Sequence, residues 1–142
     1  MSEEELFAQA TRNTEILFPM KRESLVDVIL DCMHVPTEMK EVMYNKCPCP
    51  MYIITNDIGL NGATVMLYTD ALSDLATDLD VDHFYIMPCS VHECIVMVGD
   101  DDVEFMKSLV MTANKDVVTQ MDYLSDSVYR YDLESDMVEL VA

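Results

Sequence analysis

His83-Phe84-Tyr85-Ile86-Met87-Pro88-Cys89-Ser90-Val91-His92-Glu93-Cys94-Ile95-Val96-Met97-Val98 decides the fold class. Phe84, Tyr85 and Ile86, aromatic and β-branched, give the first five positions the composition of a strand. Pro88 stops the run, because it lacks an N–H for the ladder and fixes its own φ. The second run, 91–98, reads apolar on both faces, as a central strand should. A central strand needs partners on both sides, and the neighbouring sequence supplies them.

Upstream, 51–55 is another short β-branched and aromatic run. Asn56-Asp57-Ile58-Gly59 and Asn61-Gly62 are turn chemistry, and 63–68 reads as the hairpin partner of 51–55. Thr69 or Asp70 then caps a helix that places Leu72, Leu75, Ala76 and Leu79 on one face. Downstream, Asp101 is expected to cap a helix with Glu104 at its N3 position. Its apolar stripe is Val103, Met106, Leu109, Val110 and Ala113. A loop rich in Asp and Ser leads to a terminal hairpin, 128–132 and 137–141. Before residue 51 the pattern is helical. Ser2 and Glu5 form a capping box, and Leu6, Ala10, Leu17 and Phe18 follow before Pro19 ends the helix. Leu25, Val26, Ile29, Leu30 and Met33 give a second amphipathic stretch, stopped by Pro36. Thr37 caps a third, short one with Met39, Val42 and Met43. Cys47-Pro48-Cys49-Pro50 is extended or turning. The expectation is an α+β fold of one domain, 1–142. Helices fill 1–50, and 51–142 holds a mainly antiparallel sheet with two interleaved helices.

Composition narrows the function. The 142 residues carry 27 acidic against 8 basic side chains, a formal charge of -19. Direct nucleic-acid binding is excluded as an expectation, because phosphate contacts need clustered Lys and Arg. Anionic membranes are disfavoured for the same reason. No apolar run reaches the roughly 18 residues of a membrane-spanning helix, and the start Met1-Ser2-Glu3-Glu4-Glu5 is too acidic for a signal peptide. Five cysteines, an odd number, fit free thiols in a reducing compartment. The chain therefore reads as soluble and cytoplasmic. The thirteen methionines sit at periodic apolar positions and read as adaptable core filler. The charge is uneven: eighteen acids face three bases in 51–142, against nine and five in 1–50.

Several strings carry a resemblance. They are Met51-Tyr52-Ile53-Ile54-Thr55-Asn56, Leu60-Asn61-Gly62-Ala63, Leu67-Tyr68, Pro88-Cys89-Ser90-Val91-His92-Glu93 and Leu124-Ser125-Asp126-Ser127-Val128-Tyr129-Arg130-Tyr131-Asp132. With Asn13-Thr14 and Pro19, they resemble the domain-of-unknown-function family 5688, uncharacterised bacterial proteins. The similarity covers nearly the whole chain and corresponds to the C-terminal half of longer members. Cys89 departs from the pattern, which often has Ser there. The resemblance implies a bacterial, intracellular protein and transfers no activity and no catalytic residue.

Three clusters invite chemistry. Ser90, His92 and Glu93 are the raw material of nucleophilic or acid–base catalysis. In a strand, however, His92 and Glu93 point to opposite faces, and Ser90 and His92 can equally tie a turn together by hydrogen bonds. Cys47, Cys49, Cys89, His92 and Cys94 offer thiols and an imidazole, but their spacing does not match a zinc site. Asp78-x-Asp80-x-Asp82 opens like a calcium loop, yet His83 and Cys89 stand where an EF-hand needs Gly and Glu. No metal and no cofactor is therefore expected. Asp70, Asp74 and Asp78 repeat at four-residue spacing with no basic residue among them on the helix. Asp80 and Asp82 extend the series past the helix end, where the dipole disfavours anions. Such charge serves solubility or meets a basic protein partner. The expected function is a protein-interaction module using this acidic face. The alternatives are a hydrolase-like enzyme built on Ser90, His92 and a carboxylate, or a nucleic-acid mimic that fills the basic groove of a nucleic-acid enzyme. Oligomeric state is not readable from the sequence.

Overall fold

The structure, a computed structural model, describes residues 1–25, 34, 36–39 and 51–142. Most of the second and third expected helices, and the Cys47-Pro48-Cys49-Pro50 turn, fall outside those residues. Helix α1 spans Glu3–Leu17, with Ser2 and Glu5 closing the expected capping box. Strand β1 (Met20–Ser24) follows, then β2 (Met51–Asn56), a 3-10 helix (Gly62–Leu67), α2 (Thr69–Asp78), β3 (His83–Met87), β4 (Cys94–Met97), α3 (Val103–Asp116), β5 (Tyr129–Asp132) and β6 (Met137–Leu140). The six strands form one antiparallel sheet in the order β1-β2-β4-β3-β5-β6. The fold is α+β, as expected.

Alternation along the strands builds two apolar layers. Ile54, Phe84, Ile86, Cys94, Val96 and Tyr131 face one side, where Ala63 and Val65 of the 3-10 helix and Leu72, Leu75 and Ala76 of α2 cover them. Tyr85, Met87 and Met97 face the other side, where Met106 and Val110 of α3 pack with Val128. The helical stripes of α2 and α3 thus meet opposite faces of the sheet, with Leu72 and Leu75 at 1% exposure or less.

Four expectations change in detail. Residues 63–68 do not form a strand: both edges of β2 are occupied, by β1 and β4. The Ala63 N–H donates instead to Val91 O, and the Tyr68 N–H closes the 3-10 turn on Val65 O. The central strand starts at Cys94 rather than Val91, because the Val91 N–H and carbonyl are engaged by Asp122 O and the Ala63 N–H. Tyr68, not Thr69 or Asp70, is the N-cap of α2, and no side chain caps it. Asp102, one residue beyond Asp101, caps α3 by accepting from the Phe105 N–H, while the Asp101 carboxylate is held elsewhere. Strand β1, with Lys21, Arg22 and Glu23 at its centre, lacks any apolar signature. It lies at the sheet edge, where charge is tolerated and discourages further pairing.

Candidate functional site

Ser90, His92 and Glu93 lie in the loop that leads into β4. With Asp122 they line an open depression of about 420 Å³. The loop is pinned from several sides. Ser90 pairs with Tyr123 in an isolated bridge, and the Thr55 hydroxyl donates to the His92 carbonyl at 2.7 Å. The Asn61 N–H donates to His92 Nδ1 at 3.0 Å. Nδ1 is therefore the lone-pair nitrogen, and Nε2 carries the proton that goes to Asp122 Oδ1 at 3.0 Å. Asp122 Oδ2 in turn accepts from the Thr119 hydroxyl. Gly62 lies under this knot. A Cβ there would come within 2.0 Å of Thr55 Oγ1 and 2.6 Å of the His92 carbonyl. Asn61, at φ 54°, makes the left-handed turn that brings its N–H to the imidazole.

This arrangement lacks the geometry of a nucleophile and its base. Ser90 Oγ accepts from the His92 backbone N–H at 3.1 Å, an ST-turn contact. Both imidazole nitrogens are already engaged. Cys89 and Cys94 are free and buried. Burial pushes both thiols up from their ordinary range, away from the thiolate that nucleophilic or metal chemistry requires. Among the described residues, no three His, Cys, Asp or Glu side chains are grouped to hold a metal ion.

The five aspartates of the acidic series separate into two places. Asp70, Asp74 and Asp78 line a depression of about 330 Å³ beside Glu15, Arg22 and Met20. Asp78 has a cationic partner from outside its helix, Arg22 of β1, at 3.0 Å. Desolvation, then the charges of Asp70 and Asp74, raise the Glu15 carboxyl above its ordinary value. Asp80 and Asp82 line a second depression of about 680 Å³ with His83, Gly99 and Asp101. His83 Nε2 lies 2.7 Å from Asp101 Oδ1, and Nδ1 meets Asp82 Oδ1. The Tyr85 hydroxyl donates to the same Asp101 oxygen at 3.0 Å.

Sequence reading missed Asp122 and Asn61 as partners of His92, Glu15 and Arg22 beside α2, and Asp101 with Tyr85 around His83. Each pairing joins segments distant in sequence, and only the sheet register brings them together. Asn61-Gly62 alone gave a local signal, as a turn. The model of a family of unknown function, DUF5688, matches residues 1–133. No curated protein and no solved structure matches the chain.

Proposed function

The chain belongs to DUF5688, a family of unknown function, so its role must be read from its own surface. We propose that it is a protein-interaction module that receives a basic partner on the acidic face of α2. One observation carries this reading: Glu15, Asp70, Asp74 and Asp78 line one depression in which, among the described residues, Arg22 is the one cation. Like charges four residues apart on a helix destabilise it by a few tenths of a kcal/mol per pair, or about 0.2–0.5. A fold that needed only solubility could disperse them. A Lys or Arg side chain from a partner would relieve the repulsion, and the excess negative charge of 51–142 would steer that partner in from a distance. A nucleic-acid mimic seated in a basic groove is the narrower form of the same reading. The hydrolase alternative is disfavoured by the saturated His92. The buried thiols Cys89 and Cys94 fit a protein of the cytoplasm.

The test is retention of partners from extract of the source cell. Wild-type protein and the variant Asp70→Asn, Asp74→Asn, Asp78→Asn are compared at low and high salt. The reading expects a basic protein held by the wild type, released by salt and lost by the triple variant. If the wild type retains nothing that the variant loses, the acidic face has no partner.

A further inference from the structure

The depression around His83 has two walls. The turn between α2 and β3 supplies Asp80 and Asp82, and the loop between β4 and α3 supplies Gly99 and Asp101. His83 joins them, with Nδ1 on Asp82 and Nε2 on Asp101, the latter at 2.7 Å. An ionised carboxylate only accepts hydrogen bonds, so both ring nitrogens must donate. Only the imidazolium has an N–H on each. We propose that His83 is a pH-operated clasp: protonated, it ties the two walls of this depression together; neutral, it holds one wall and lets the other part.

The surroundings favour that behaviour. A neutral imidazole keeps one N–H, and its other nitrogen turns a lone pair toward a carboxylate. With the cation gone, Asp80, Asp82 and Asp101 remain as three like charges around one opening. Asp82 and Asp101 are exposed, with side chains at 90% and 71%, so Asp82 can swing into water while Asp101 keeps the Tyr85 hydroxyl. Gly99, at φ 78° with nothing within 4 Å of where a Cβ would sit, gives the second wall a hinge.

Among the described residues, the other charged and titratable groups around the ring lie on β3 and β5. On β3, the Tyr85 hydroxyl donates to Asp101 at 3.0 Å. On β5, Asp132 lies opposite His83 in the ladder, and Arg130 lies opposite Tyr85. Arg130 reaches Asp132 at 3.4 Å and opposes the imidazolium. From α2 the depression receives only Ala76 and Thr77, which carry no charge.

The hydrogen bonds to Asp101 and then Asp82 outweigh desolvation and Arg130, and hold the His83 pKa above the ordinary imidazole value. A raised folded pKa gives a stabilisation that is complete below the unfolded value and is lost as pH rises through the folded one. The clasp is therefore closed below the ordinary imidazole pKa and opens as pH rises through the raised His83 pKa.

The experiment is amide hydrogen exchange on the full chain from about pH 5 to about pH 8.5, spanning the range in which an imidazole titrates. Rates are expressed as protection factors, to remove intrinsic base catalysis. His83 is followed by NMR in the same samples. Protection at Val81, whose N–H donates to Ala76 O, at Leu133, which donates to Asp82 O, or at Val103, which donates to Asp101 O, is expected to fall about threefold or more as His83 loses its proton. In His83→Gln, protection is low and flat across the same range. In Asp82→Asn, a change at an exposed side chain, the His83 midpoint moves down. PH-independent protection in the wild type would overturn the clasp. So would a pH dependence that survives in His83→Gln, or a His83 midpoint that Asp82→Asn leaves in place.

Discussion

The loop around His92 and the depression beside α2 both collect ionisable side chains, and they treat them in opposite ways. At His92 the imidazole, the Asp122 carboxylate and the Ser90 hydroxyl each meet a partner from the fold itself. The imidazole lies between the Asn61 N–H and Asp122, Asp122 also accepts from Thr119, and the Ser90 hydroxyl accepts from the His92 backbone. Beside α2, Arg22 pairs with Asp78 alone of the four carboxylates lining the depression, and desolvation, then the charges of Asp70 and Asp74, raise the Glu15 carboxyl. A cluster that satisfies itself stabilises the fold and leaves little for a substrate. A cluster that the fold leaves in surplus is available to a partner. Residue types alone suggested catalysis at the first place. Their bonding gives the first place a structural role, and the proposed docking surface is the second.

That contrast rests on α2 being fixed to the sheet. Leu75 is buried at 1% exposure under the acidic face, and Leu75→Ala is expected to cost about 2–5 kcal/mol by removing a packed side chain. Denaturant unfolding measures it, and a change within about half a kcal/mol would mean that α2 does not pack as described. The knot at His92 is tested next by Gly62→Ala. The new methyl would meet Thr55 Oγ1 and two backbone atoms, and backbone cannot step aside as a flexible side chain can. A loss of about 1–3 kcal/mol is expected from overpacking. His92→Ala strands the Asn61 N–H and the Asp122 carboxylate, at about 1–3 kcal/mol for a buried group left unpaired. The loss is expected near the lower end, because both sit close to solvent.

The sheet was legible where burial imposed a pattern. Residues 51–55, 83–87 and the terminal hairpin carry the period of a strand, and the stripes of Leu72, Leu75 and Ala76 and of Met106 and Val110 gave the helices that cover its two faces. Strand β1 was not legible, because Lys21, Arg22 and Glu23 fill its centre and only Met20 packs against the core. The stretch after Gly62 was misread as a strand because Ala63-Thr64-Val65-Met66-Leu67 has the composition of one. Only the knowledge that β2 already had two partners excludes it. The site was half legible. Ser90 and His92 stood out as residue types, but Asp122 lies 30 residues further on, and nothing in its sequence neighbourhood points back. The acidic series was readable as a helix face, whereas Arg22 and Glu15 come to it only through β1 and α1.

The acidic face predicts a smaller effect of opposite sign. Replacing Asp70, Asp74 and Asp78 by Asn removes two like-charge spacings along α2, for a gain of a few tenths of a kcal/mol, about 0.2–0.5 per pair. Loss of the exposed Arg22–Asp78 pair partly offsets it. The Glu15 carboxyl titration, followed by NMR, is expected to move down toward its ordinary value, since Asp70 and Asp74 help to raise it. A Glu15 midpoint unmoved by the triple variant would leave desolvation as the whole cause and would remove the evidence of crowding.

The most direct measurement is an NMR titration of the folded protein with a short peptide rich in Lys and Arg, at low salt and again at about 0.15 M, where the screening length is about 8 Å. Shift changes are expected at Glu15, Asp70, Asp74 and Asp78, weaker at the higher salt and absent in the triple Asn variant. Changes spread evenly over all the acidic residues, or equal in the wild type and the variant, would contradict the acidic face of α2 as a docking surface.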